Sequence, residues 1–174
     1  NEAKIRPIVR ETRNLTAELE KIIKAFNTGG LTEIPAKGYL PGASEADKIP
    51  VKVEELYIYL NSVKAITRLL SDDKNDIRLN KVRVICGDKE DNVNMLEEIG
   101  VKRSNSTDLK EEGVNITFLT STGFQGCNFF SNNALSIVVS KANNEATFLS
   151  IDTTIPQIMG RLRFNDKFQN VFHN

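Results

Sequence analysis

From Val51 onward, short runs rich in Val, Ile and Phe alternate with amphipathic segments. Glu55 to Leu60, Lys81 to Cys86, Asn115 to Thr120, Leu135 to Ser140 and Ala146 to Ile151 read as strands. Between them, Val63, Ile66, Leu69 and Leu70 make one helical face, Asp91 to Ile99 forms a second helix, and Thr153 to Arg163 a third. Nearly continuous apolar strands separated by helices predict an α/β fold, with a mostly parallel central sheet covered on both faces in three layers. In such a sheet ligands bind beyond the carboxyl ends of the strands. The residues that follow each strand therefore carry most of the functional information.

The first fifty residues have a different texture. Ile5, Ile8, Val9, Leu15, Leu19, Ile22, Ile23 and Phe26 recur at three and four, which predicts a helix over Ala3 to Phe26 that ends at Gly29-Gly30. Leu31 to Pro50 is broken by Pro35, Pro41 and Pro50 and reads as a linker. The expected division is a helical arm and linker over 1–50 and the domain proper over 51–174. The chain opens on Asn1 without Met and stops at Asn174 just after an apolar stretch, as expected of a piece of a longer protein, truncated at its C-terminus.

Composition removes several function classes. Lys+Arg and Asp+Glu each total 23, so the formal net charge is +0 and a polybasic binder is excluded. Cys86 and Cys127 form no disulfide framework or zinc pattern, and the sole histidine, His173, is next to the terminus. No apolar run approaches a membrane span and no signal peptide opens the sequence, so the expected setting is cytoplasmic, without membrane partners.

Three constellations carry chemistry. Thr120 to Asn128 (TSTGFQGCN) follows a strand, with hydroxyls at Thr120, Ser121 and Thr122 and glycines at Gly123 and Gly126. Such a turn can hold a phosphate with hydroxyls and amides and needs no net charge; it also reads as a plain strand–helix loop with caps. Pro156 to Arg163 (PQIMGRLR) places Gln157 and Arg161 four apart on one helical face, with Gly160 allowing close approach. A planar, permanently charged guanidinium suits a phosphoryl-transfer site, though an amphipathic helix with surface arginines has the same pattern. Leu60 to Ile66 (LNSVKAI) joins a strand to a helix: Ser62 can cap it, its first amides can form an anion site, and Lys64 lies in the first turn, though simple capping accounts for the same pattern equally well.

Taken in order, these segments resemble the C-terminal RecA-like domain of superfamily 2 helicases over Val51 to Arg163. YIYLNSVKAI is similar to motif IV and ITFLTSTGFQGCN to motif V, with Thr120, Gly126 and Asn128 at the motif positions. QIMGRLR is similar to motif VI, matched by Gln157, Gly160 and Arg161. Two positions depart from the pattern. Asn128 stands where the family usually has Asp, and Phe164 stands where the second motif VI arginine usually falls, Arg163 being one residue earlier.

The resemblance implies a RecA-like domain that supplies one side of an ATP site. Arg161, with Arg163 as a partner, would stabilise transition-state charge, and Gln157 would orient the site. Gly126, Asn128 and Gly160 would border the nucleotide. Asn61, Ser62, Lys64, Thr120, Ser121 and Thr122 would hold the nucleic-acid backbone, DNA or alternatively RNA. ATP and Mg2+ belong to the full-length parent, with the N-terminal RecA-like domain as partner. No GxxxxGK[ST] loop occurs here, and the acidic pairs Asp72-Asp73 and Glu97-Glu98 read as solvated surface, so the chain alone is expected neither to hold the cofactor nor to hydrolyse it. Two alternatives stay open. One is a non-enzymatic nucleic-acid-binding or interaction module of the same fold. The other is an unrelated doubly wound domain with a closed phosphate pocket lined by Thr120 to Asn128.

Overall fold

The computed structural model describes residues 8–123, 129–130, 133–140, 162–163 and 168–173. Its principal element is a seven-stranded sheet in which every pairing is parallel. In chain order the elements are β1 (Ile8–Glu11), α1 (Leu15–Asn27), β2 (Thr32–Glu33), β3 (Val51–Lys52), β4 (Glu55–Tyr59), α2 (Val63–Ser71) and β5 (Val82–Ile85). They continue with α3 (Glu90–Glu98), β6 (Arg103–Ser104), β7 (Ile116–Leu119), β8 (Phe129–Phe130), β9 (Ala134–Ser140), β10 (Leu162–Arg163) and β11 (Phe168–His173). The order across the large sheet is β1-β11-β9-β4-β7-β5-β6. Two small ladders stand apart from it: antiparallel β2–β3 and parallel β8–β10.

The handedness of parallel crossovers explains where the helices lie. The chain moves in one lateral direction from β1 to β4, from β4 to β5 and from β5 to β6, and α1, α2 and α3 occupy those three steps. Because such crossovers are right-handed, three steps in one direction must lay their helices on one face of the sheet. All three helices do share one buried cluster with Leu56, Ile58, Val84, Phe118 and Ile137, the residues that point to that face by strand alternation.

Each helix owes its position to a local signal and a buried stripe. Asn14 caps α1, its Oδ1 accepting from the Ala17 amide at 3.0 Å, and Leu15, Leu19, Ile23 and Phe26 bury its inner face. Ser62 caps α2, its Oγ accepting from the Ala65 amide at 3.2 Å, above Val63, Ile66, Leu69 and Leu70. Each such buried apolar side chain contributes about 2 kcal/mol of transfer free energy. α1 thus belongs to the same core as the sheet.

The opposite face is buried as well but chemically different. Register aligns Arg83 with Thr117, Thr117 with Tyr57, and Tyr57 with Ser136, and all four side chains are buried. The return from β6 to β7 borders this polar row. Arg83 Nη1 donates to the Asp108 carbonyl at 3.3 Å, and Lys110 pairs with Glu55, whose carboxylate also accepts from the Tyr57 hydroxyl. Burial, reinforced by the Glu55 charge, pushes the Tyr57 phenol well above its ordinary range.

Strands or helices expected over 55–60, 63–70, 81–86, 91–99, 115–120 and 135–140 all stand, shifted by a residue or so at their ends. Two expectations are corrected. The helix expected over Ala3 to Phe26 is, in its described part, a strand and then a helix: Ile8–Glu11 pairs with β11, and α1 begins only at Leu15, after the Asn14 cap. Residues 8–11 satisfy the spacing of a helix, yet β-branched Ile8 and Val9 find an open sheet edge. The helix expected over Thr153 to Arg163 does not reach its stated end, because Leu162 and Arg163 pair as a strand with Phe129 and Phe130. Residues 153–161, and the strand expected over Ala146 to Ile151, lie outside the described residues.

Candidate functional site

Three strand ends meet at the carboxyl edge of the sheet. β4 lies between β9 and β7, and the chain leaves β4 in one lateral direction but leaves β7 and β9 in the other. Neighbouring strands whose connections diverge leave a crevice above their carboxyl ends, the usual ligand position in an open α/β sheet. Here the crevice is bordered by Asn61 to Lys64 after β4, Gly87 after β5 and Thr120 to Thr122 after β7.

The ladder fixes the approach to this edge. The Leu60 amide donates to the Leu119 carbonyl at 2.9 Å, and the Thr120 amide donates to the Ile85 carbonyl at 3.0 Å. One residue later the ladder ends, and a side chain takes its place: the Ser121 amide donates to Asn61 Oδ1 at 2.9 Å. Asn61 and Ser121 are 60 positions apart, so this bond joins two of the segments singled out from sequence. The Ser62 amide bonds the Leu60 carbonyl at 2.8 Å, turning the chain sharply into α2.

Several predicted residues come together here. Thr120 is 7% exposed, whereas Ser121, Thr122 and Lys64 are exposed at the edge. Ser62 spends its hydroxyl on the cap, so its contribution to an incoming anion is made through the helix start rather than the side chain. Gly87 and Asn92 were not singled out as site residues. Asn92 Nδ2 donates to the Gly87 carbonyl at 3.4 Å, and a Cβ built at Gly87 would lie 3.5 Å from Thr122 Oγ1. Gly-Asp directly after a strand is the sequence signal for Gly87; Asn92, inside α3, has none. Cys86, just before Gly87, belongs to the core; burial pushes its thiol up, with Arg103 pulling partly the other way. That keeps it protonated and unsuited to nucleophilic work.

The second predicted cluster is placed only through its backbone. Leu162 pairs with Phe129 and Arg163 with Phe130, which sets the end of the PQIMGRLR segment beside the residues that directly follow TSTGFQGCN. Gln157, Gly160, Arg161, Gly126 and Asn128 lie outside the described residues.

Three clefts among the described residues lie elsewhere. One of about 380 Å³ opens at the amino-terminal edge of the sheet beside Lys52, Arg78 and Lys81. Another of about 400 Å³ borders β5 and β6 beside Arg83 and Arg103. A third of about 230 Å³ lies between α1 and α2 over Leu60 and Val139. None of the three is lined by Thr120, Ser121 or Thr122. No helix among the described residues is long and apolar enough to cross a membrane. No family model, no curated protein and no solved structure matches the chain.

Proposed function

We propose that this chain is the C-terminal RecA-like half of an ATP-dependent nucleic-acid helicase or translocase, with a nucleic-acid track along the carboxyl edge of its sheet. The observation that carries the reading is the direct bond from the Ser121 amide to Asn61 Oδ1 at 2.9 Å, which brings the motif IV-like and motif V-like segments into one surface. The β8–β10 ladder supports it by setting the motif VI-like segment next to the motif V-like one. A wholly parallel sheet with a crevice at diverging connections is the architecture such a site requires.

On this reading the exposed hydroxyls of Ser121 and Thr122 donate to backbone phosphate oxygens, and Lys64 adds one positive charge at the start of α2. ATP with Mg2+ sits between this chain and an N-terminal RecA-like domain. On this resemblance the metal's ligands come from that other half. Arg161, assisted by Arg163 and positioned by Gln157, presents a planar cation to charge developing on the transferred phosphoryl group.

The test is ATP turnover by the protein carrying both halves, with and without single-stranded DNA or RNA, for wild type and Arg161→Ala. We expect nucleic acid to stimulate turnover and Arg161→Ala to lower it by about 10³-fold or more, the scale of an arginine finger. Turnover that is indifferent to Arg161 would remove the reading. The stimulating polymer names the substrate.

A further inference from the structure

We infer that Asn61 is a positioning residue: its carboxamide fastens the turn after β7 to the β4–α2 junction, so the two segments present their donors to one stretch of phosphate backbone as a unit. The inference rests on the reading of this edge as a nucleic-acid track, and it changes the role expected for Asn61, from a phosphate contact to an internal fastener.

Three observations carry it. First, Asn61 Oδ1 is already engaged, accepting from the Ser121 amide at 2.9 Å. Second, the bond sits where backbone pairing stops. The Leu60 and Thr120 amides are held by the sheet ladder, at 2.9 and 3.0 Å, and Ser121 is the first residue beyond it. A short turn leaving a ladder drifts unless something replaces the missing bond. Third, Asn61 is itself held on both sides. Leu60 before it is in the ladder, and Ser62 after it donates to the Leu60 carbonyl at 2.8 Å while capping α2. Its carboxamide is therefore anchored to α2, and through it so are Ser121 and Thr122. The hydroxyls of the turn and the Lys64 ammonium then keep a fixed spacing that neither segment sets alone.

The experiment has two readouts on the 174-residue chain. The first needs no nucleic acid: the NMR coupling across the hydrogen bond from the Ser121 amide nitrogen to the Asn61 side-chain carbonyl carbon. We expect it in wild type and in Asn61→Asp, which keeps the acceptor. We also expect the Ser121 amide resonance to shift downfield-to-upfield in Asn61→Ala as the bond is lost. A missing wild-type coupling, or an unmoved Ser121 amide in Asn61→Ala, overturns the fastening whatever the edge binds.

The second readout is binding of a fluorescent oligothymidylate or oligouridylate in a mutant cycle. Asn61→Ala should weaken binding about threefold to tenfold, the range one hydrogen bond supports. In the Ser121→Ala/Thr122→Ala background it should weaken it no further, because its effect runs through those hydroxyls. Additive losses instead mean that Asn61 touches phosphate itself, which overturns the positioning role. If wild type binds neither oligonucleotide while the coupling is present, the track reading fails, and with it the shared-ligand part of this inference. The fastening is then still decided by the first readout.

Discussion

Ser136 shows how a single atom can reveal the difference between the two faces of this sheet. Its side chain is fully buried on β9 in the polar row with Tyr57 and Thr117, and its Oγ has no hydrogen-bond partner among the described residues. A buried hydroxyl without a partner forfeits its hydration for nothing. Ser136→Ala is therefore expected to raise unfolding stability by about 1 kcal/mol, read as a higher urea midpoint at unchanged slope. A lower midpoint would mean the hydroxyl is engaged. At this scale the sequence was informative about residue types and silent about pairings. Asn61, Ser62, Thr120, Ser121 and Thr122 could be picked out because they follow strands, and Ser62 even as a cap. The Asn61–Ser121 bond could not, because its partners are 60 positions apart and only the sheet order brings them together.

At the scale of elements, the segment between β2 and β3 folds on itself through a small polar knot. Asp47 accepts from the Ser44 amide and hydroxyl at 3.1 and 2.9 Å and pairs with Lys37 at 2.9 Å. Lys37 first, then Ser44, hold the Asp47 carboxyl down to about 2. A depressed carboxyl contributes stability above its ordinary pKa of about 3.9 and loses it as the pH falls towards 2. The Ser44 amide shift should accordingly titrate with a midpoint near 2; a midpoint near about 4 would mean the knot is open in solution. Gly38 is the other requirement of this segment, since a Cβ there would lie 2.4 Å from the Asp47 carbonyl oxygen and 2.6 Å from Ile34 Cγ2. Gly38→Ala should cost about 1–3 kcal/mol and speed proteolysis within 34–50; unchanged cleavage would count against the packing described. The elements recovered from sequence, β4, α2, β5, α3, β7 and β9, are each a nearly continuous apolar run or a single helical segment. β1 eluded it because Ile8, Val9 and Leu15 continue a helical spacing that the Asn14 cap interrupts, and β11 because only a long-range partner makes a six-residue polar and apolar mixture into a strand.

Across the whole molecule, the helix expected in the N-terminal arm is part of the core. Ile23 is 0% exposed and shares its cluster with Ile58, Phe118 and Ile137. Ile23→Ala should therefore destabilise the entire sheet by about 2–5 kcal/mol in one cooperative transition. Separate melting of α1 would contradict a common core. The fold class was readable because strand–helix alternation is local, whereas the strand order is not: β1 ends up beside β11 although nearly the whole chain separates them. That adjacency has a consequence for how the protein is made. Ile8 aligns with Asn170 and Glu11 with His173, so the earliest described strand to leave a ribosome meets its partner only when the latest one emerges. Contacts of such sequence separation close late and slowly. Until then nascent Ile8–Glu11 is an unpaired edge, short and carrying Arg10 and Glu11 at its end, features that discourage pairing with another chain during the wait.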